Sequence, residues 1–169
     1  MAKFPIEAIL WRRVNQATFD TLRGESRGQY DIRLTMLPEL ESFFEGIERT
    51  DPTEHGGYNL AVKVAAFDGP DPVEETTLRV HYMGPESGRK DWYIASQRPD
   101  SAYPLWRAGR AFDPETFEPG GLDFVVLVRD DQNSFHARWI SADDFSRLPP
   151  ELQERFQERE IGIWTRPDE

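Results

Sequence analysis

Apolar and polar residues alternate along three stretches of the chain, at residues 29–36, 58–67 and 76–83. In the first stretch Ile32 and Leu34 share one phase, and the residues beside them are polar or charged. A period of two is typical of strands, because successive side chains of a strand point to opposite faces of the sheet. The alternation therefore predicts three strands that each bury one face against a core.

Shorter apolar runs predict further strands, at residues 8–14, 92–95, 122–128, 134–140 and 161–164. The third and fourth of these runs flank a short polar turn and predict a hairpin. The last run is predicted to be an edge strand. The polar stretch before the first alternating segment is rich in small and charged residues, and no element is predicted there.

Two segments carry the periodicity of a short helix, at residues 38–47 and 150–159. The first has apolar residues at i, i+3, i+4 and i+7, which form one helix face: Leu40, Phe43, Phe44 and Ile47. Ser141 precedes Ala142 and two aspartates, a combination that favours a helix N-cap with acids in the first turn. Two or three short helices are therefore expected.

The strands lie too close together in sequence for a helix between each pair, so parallel βαβ units are not expected. A chain of 169 residues favours a single domain, here residues 1–169. We therefore predict a mostly β fold, a seven- or eight-stranded antiparallel barrel or sandwich with two or three peripheral helices.

Composition narrows the possible functions. The chain has no cysteine, which excludes disulfides, thiolate metal sites and a cysteine nucleophile. No apolar stretch is long enough for a signal peptide or a membrane span, so we expect a cytoplasmic protein without membrane association. The net charge of −11 by itself disfavours nucleic acid as a partner. However, residues 1–110 hold 14 basic and 17 acidic residues, whereas residues 111–169 hold 6 and 14. A local basic surface on the first two thirds is therefore compatible with the total.

Catalytic motifs are largely missing. The three histidines, His55, His81 and His136, lack metal-ligand spacing, so neither a metal site nor a cofactor is predicted. Nuclease motifs that need a lysine two residues after an acid or a histidine do not occur, and neither does a glycine-rich phosphate loop. The paired aspartates at 130–131 and 143–144 are more simply a turn and a helix start. We therefore expect no catalytic residues and no enzymatic activity.

Two loops have the composition of a surface that reads DNA bases. The first spans residues 21–30 and the second residues 86–92, at the tip of a hairpin predicted from residues 76–83 and 92–95. Arginine can bind guanine through two hydrogen bonds, glutamine can pair with adenine, and a carboxylate can accept from cytosine. The same composition also fits two solvated loops with surface ion pairs. A third basic segment with aromatic residues surrounds Arg107.

The order of these elements resembles the B-three-like pseudobarrel DNA-binding domains of restriction endonucleases and plant transcription factors, including the N-terminal effector-binding domain of EcoRII. The resemblance spans about 130 residues and is carried by the following segments: Trp11-Arg12-Arg13-Val14, the loop 23–28, Tyr30-Asp31-Ile32-Arg33-Leu34, the helix at 38–46, the strands at 58–67 and 78–83, Gly88-Arg89-Lys90, and the hairpin at 122–140. In that family two loops, the N-arm and the C-arm, grip the major groove.

The resemblance implies a pseudobarrel that binds double-stranded DNA in a sequence-specific manner, as the target or effector recognition domain of a restriction-modification type system. A nuclease domain or subunit, on the same or another chain, would be its partner. The implied DNA-binding residues are Arg23, Glu25, Ser26, Arg27, Gln29 and Tyr30 in the first arm, Ser87, Arg89, Lys90, Asp91 and Trp92 in the second, and Arg107. The strongly acidic total charge departs from the basic character of the family.

Two other functions are compatible with the residues. The acidic excess in residues 111–169 is compatible with an acidic protein-interaction module, or a nucleic-acid mimic, that binds a basic partner. The scattered carboxylates are compatible with a metal-dependent hydrolase.

Overall fold

The computed structural model describes residues 5–22, 31–35, 38–68, 71–88, 91–95, 115, 117–118 and 121–168. The strands in these residues are Ile6–Arg13 (β1), Asp31–Thr35 (β2), Arg49–Thr50 (β3), Tyr58–Asp68 (β4), Asp71–Tyr82 (β5), Trp92–Ala95 (β6), Phe124–Asp130 (β7), Phe135–Ile140 (β8) and Ile161–Thr165 (β9). The helices are Gln16–Leu22 (α1), Leu40–Phe43 (α2), Ala142–Phe145 (α3) and Pro150–Glu158 (α4).

All nine strands belong to one sheet, in the order β2-β6-β5-β4-β8-β7-β1-β9, with the short β3 paired to β4. The sheet is barrel-like and nearly closed, so the expected mostly β fold with few short helices is confirmed. The strand count exceeds the expected seven or eight within the described residues. The expected antiparallel character is only partly right, because β4 and β8 pair in parallel through Val64 and Phe135.

The interior of the barrel is filled by one phase of every strand except the short, exposed β3. On the long β4–β5 hairpin this phase includes Leu60 and Val62 opposite Val80 and Leu78. These side chains are buried, whereas Lys63 on the other phase is exposed. The alternation in the sequence therefore encodes the inside and the outside of the barrel.

Strands β1 and β7 are buried on both faces, and this explains their continuous apolar runs. Their outer face packs against α3 and α4 and forms a second core. In it the Trp11 ring stacks on Phe156 of α4, with ring centroids 4.7 Å apart. Gly162 of β9 faces Trp11, and a Cβ there would lie 2.2 Å from the indole ring. The tryptophan thus requires glycine at this position.

Arg12 of β1, the strand next to the edge strand β9, connects this end of the sheet to the edge strand β2 at the other end. Its guanidinium donates to the carbonyl of Arg33 in β2 and to the Thr18 hydroxyl of α1, the latter at 3.2 Å. Burial lowers the pKa of Arg12, and the charge of Glu160 opposes this effect. Arg12 therefore links β1 to β2 across the gap in the barrel.

Most elements lie where they were expected, but β3 was not expected, β5 begins at Asp71 rather than at residue 76, and two helical segments also differ. Helix α1 lies in the polar stretch where no element was expected, and Asn15 caps it by accepting from the backbone N–H of Thr18 at 2.8 Å. Helix α2 covers only part of the expected 38–47, because Gly46 adopts a φ of +87° and the chain turns there. Among the described helices, none has the length and apolar character needed to cross a membrane.

Candidate nucleic-acid interface

One wall of the barrel carries polar and basic side chains on its outer face. This wall, which we call the basic wall, consists of β2, β6, β5, β4 and the first half of β8. The outward positions whose side chains the structure describes are Arg33, Tyr93, Thr77, Arg79, His81, Asn59, Ala61, Lys63, Ala65 and His136. The second wall, under α3 and α4, instead has an apolar outer face.

Among the described residues, three cationic side chains lie on the basic wall, and all are exposed: Arg33, Lys63 and Arg79. Lys63 pairs with Thr77, the residue two positions before Arg79, so the lysine and Arg79 are diagonal neighbours. Such neighbours lie about 7–8 Å apart. Two acidic residues belong to the same strands: Asp31 pairs with Ala95, which also pairs with Arg79, and Glu75 pairs with Ala65.

A row of hydrogen-bonding residues crosses four strands of the basic wall. The register aligns Arg33, Tyr93, His81 and Asn59 on β2, β6, β5 and β4. Asn59 is buried, and its Oδ1 lies 2.6 Å from His81 Nδ1. The Asn59 side-chain amide donates to Asp51 Oδ2 at 3.0 Å. The row therefore includes a histidine that is held in place by a buried asparagine.

The loop after β5 is docked onto the turn that precedes β4. Gly84 adopts a φ of +103°, and a Cβ there would lie 2.3 Å from the carbonyl oxygen of His55. The backbone N–H of Glu86 donates to the same carbonyl at 3.1 Å. Residues 84–88 thus have a fixed conformation at the end of the β5–β6 hairpin, where the sequence predicted a loop.

Three of the predicted DNA-binding residues in this region are buried and have partners within the chain. Ser87 donates from its hydroxyl to the carbonyl of Gly84 at 3.0 Å. Asp91 is 2% exposed and pairs with Arg33 at 3.0 Å. Trp92 stacks on Tyr82 inside the barrel mouth, with ring centroids 4.5 Å apart. These side chains support the loop and the wall, and their burial argues against direct contact with DNA.

The remaining predicted site residues lie outside the described part of the chain: Arg23, Glu25, Ser26, Arg27, Gln29, Tyr30, Arg89, Lys90 and Arg107. The described residues next to the two predicted loops show where these loops join the sheet. Asp31, which follows the first loop, pairs with Ala95, whereas Trp92, which follows the second loop, pairs with Tyr82 and Thr35. The two loops therefore join opposite ends of the β2–β6 ladder, about 10 Å apart along the strands.

A second histidine, His136, belongs to a hydrogen-bond network that stabilises a turn. Asp130 in the β7–β8 hairpin accepts from the backbone N–H groups of Gln132 and Ser134, both at 2.9 Å, and contacts His136 Nε2 at 3.0 Å. Burial would raise the pKa of Asp130, but these hydrogen bonds outweigh it and hold the pKa below its usual value. Asp130 is thus ionised, and its hydrogen bonds stabilise the hairpin.

Asp123, close to the start of α3, has a pKa that is shifted in the opposite direction. Burial raises its pKa, although its carboxylate accepts a hydrogen bond from the Trp139 indole at 2.9 Å. The nearby charges of Asp143 and Asp144 act in the same direction as burial. Within the described residues, histidines and carboxylates form no group of three that could hold a metal ion.

We compared the sequence with protein-family models and with curated proteins. No protein-family model matches the chain, and no curated protein is significantly similar to it in sequence. The function is therefore inferred from the wall, the loop attachments and the distribution of charge.

Proposed function

We propose that this chain is a non-catalytic domain that binds double-stranded DNA in a sequence-specific manner, as a target or effector recognition domain in a restriction-modification type system. The observation that carries the proposal is the basic wall. Within the described residues, three exposed cations lie on one outer face of a protein whose net charge is −11. Phosphate contacts of this kind supply most of the sequence-independent affinity for DNA.

The distribution of acidic residues also supports binding of the duplex on the basic wall. Exposed acidic residues of the C-terminal region lie in α3 and α4, and they include Asp143, Glu151, Glu154 and Glu158. These helices pack on β1 and β7, which lie across the barrel from β5 and β6. A duplex on the basic wall would therefore keep the barrel between its phosphates and these carboxylates.

The two arginine-bearing loops would supply the sequence specificity. Their attachment points are about 10 Å apart along the strands, and the major groove is about 12 Å wide. A duplex that lies across the outer face would thus bring base edges near both predicted arms, residues 23–30 and 85–92. In this arrangement the loops approach from the two ends of the wall, and Arg33 and Arg79 bind phosphates between them. The B-three-like pseudobarrel is our proposal for the finer fold.

A selection experiment tests this function. The full chain is incubated with a pool of duplexes that have a randomised core at low salt, and the retained DNA is sequenced. Enrichment of one short motif is expected. Equal retention of all sequences would overturn sequence-specific recognition, and no retention would overturn DNA binding.

A charge reversal then tests the wall itself. Arg79→Glu is expected to weaken binding of the selected duplex at least tenfold, because it replaces a phosphate contact with a repulsive charge. Arg147→Glu is the matched control, since Arg147 is an exposed arginine beside α3 and pairs only loosely with Asp144, at 3.9 Å. Equal affinities of the two variants, measured by fluorescence anisotropy, would exclude the basic wall as the interface.

A further inference from the structure

A buried carboxylate lies at the edge of the basic wall, next to the second predicted arm. Asp91 directly precedes β6, and its side chain is 3% exposed. Its Oδ2 lies 3.0 Å from Nη2 of Arg33 on the edge strand β2. No hydrogen bond reaches this oxygen from the described residues. The Arg33 guanidinium is therefore the counter-charge that the fold provides for a carboxylate with little access to water.

The backbone of both partners is fixed. The carbonyl of Asp91 accepts a hydrogen bond from the N–H of Met83 at 3.0 Å. The carbonyl of Arg33 accepts from the Arg12 guanidinium, and Arg33 itself pairs with Tyr93 across the β2–β6 ladder. Asp91 comes two residues before Tyr93 and is thus a diagonal neighbour of Arg33, within reach of a long side chain. The carboxylate therefore gives the guanidinium one fixed point of attachment.

The rest of the Arg33 side chain faces solvent. It is 58% exposed, and Asp91 is its only side-chain partner within the described part of the chain. A guanidinium carries five N–H donors, so donors remain for an anionic oxygen in front of the wall. Hydrogen bonds from arginine to phosphate are charge-assisted and frequently bidentate. An arginine that is already held in place loses less entropy when it binds such a group.

We infer that Asp91 is a positioning residue for DNA binding, and that its buried carboxylate holds the Arg33 guanidinium where it binds a backbone phosphate. The inference rests on the proposed function and deepens it, because it gives an indirect role to an arm residue that is too buried to contact DNA. Strand β6 separates Arg33 from Arg79, so about 10 Å lies between their strands. The two arginines therefore bind different phosphates, and the loss of one contact leaves the other in place.

Charge and position predict opposite effects for Asp91→Asn. The substitution removes a negative charge near the duplex, so Coulomb repulsion alone would make the variant bind more tightly. The positioning role instead predicts that affinity for the selected duplex falls about fivefold, because the freed guanidinium must be ordered when DNA binds. Glu54→Gln is the matched control. Glu54 is an exposed carboxylate in the turn onto which the loop after β5 is docked, and its loss should leave the affinity equal or slightly higher.

A double-mutant cycle shows whether Asp91 acts through Arg33. Affinity is measured by fluorescence anisotropy, over a range of salt concentrations, for the wild-type chain, Asp91→Asn, Arg33→Gln and the double variant. Arg33→Gln should reduce the slope of log K against log salt by about 1, as for one lost phosphate contact. In the Arg33→Gln background, Asp91→Asn should cause no further loss of affinity. The same loss in both backgrounds, or no loss in either, would overturn the inference and leave DNA binding intact. No duplex binding by the wild-type chain would overturn the proposed function and, with it, the inference.

A measurement on the wild-type chain does not depend on the folding of any variant. The order of the arginine Nε–H groups in the free protein is measured by ¹⁵N NMR relaxation. The Nε–H of Arg33 is expected to be more ordered than that of Arg79, an exposed arginine with no ion pair to another described residue. Equal disorder at the two positions would overturn the positioning role, whether or not the protein binds the duplex.

Discussion

A buried carboxylate in a turn shows how single residues control this fold. Asp130 lies in the β7–β8 hairpin and is only 4% exposed, yet it stays ionised because three N–H groups point at it. A carboxyl group with a lowered pKa stabilises the native state above its ordinary pKa of about 3.9. This stabilisation is lost as the pH falls through the lower native value. The hairpin is therefore expected to be sensitive to acid.

Asp130→Asn tests this expectation. The amide oxygen can still accept from the turn, but the charge and its contact with His136 are lost, so about 1–2 kcal/mol of stability should disappear at pH 7. The difference from the wild-type chain should shrink at pH 3, which is below the ordinary aspartate pKa of about 3.9, because the carboxyl of the unfolded wild-type chain then binds a proton. Urea unfolding at both pH values measures this change. Asp131→Asn, one residue along and exposed, should have little effect at either pH. A constant deficit for Asp130→Asn at both pH values would contradict the ionised role.

Among the elements, those with a strong local pattern were predictable from the sequence, whereas those that depend on distant partners were not. Strand β4 follows directly from alternation, because its inward residues all face one interior. Helix α1 was missed because its apolar content is low, although Asn15 is a recognisable cap. The parallel pairing of Val64 with Phe135 joins segments about seventy residues apart, and no local signal encodes it. The same reason applies to the row from Arg33 to Asn59, since its four residues come from four strands.

The outer helix α4 gives the second prediction about stability. Phe156 is 1% exposed and lies between Trp11 and Phe124, with ring centroids 4.7 and 5.2 Å away. Phe156→Ala should therefore cost about 3–5 kcal/mol in the free energy of unfolding, as for other large buried aromatics. The exposed neighbour Gln157→Ala serves as the control and should cost much less. A cost below about 1 kcal/mol in urea unfolding would mean that the second core does not hold the helix to the barrel.

At the scale of the whole molecule, the described charges of the basic wall and those of α3 and α4 lie on different sides of the barrel. Cations such as Lys63 and Arg79 lie on one wall, whereas the exposed acids of α3 and α4 lie on the other. Salt acts on these two groups differently. It reduces the free energy gained when counterions leave the DNA phosphates, and this lowers affinity. It also screens the repulsion between the duplex and the distant acidic residues.

The two effects predict a curved dependence of DNA affinity on salt. At about 0.01 M salt the screening length is about 30 Å, so the acidic helices repel the duplex through the barrel and the slope of log K against log salt is shallow. At about 0.15 M that length is about 8 Å, the repulsion disappears, and the slope becomes steep.

Changing Glu151, Glu154 and Glu158 to glutamine should raise affinity mainly at low salt and straighten the curve. Lys63→Ala should instead reduce the steep slope by about 1. A titration by fluorescence anisotropy that gave the same curve for all three proteins would mean that the duplex does not distinguish the two walls.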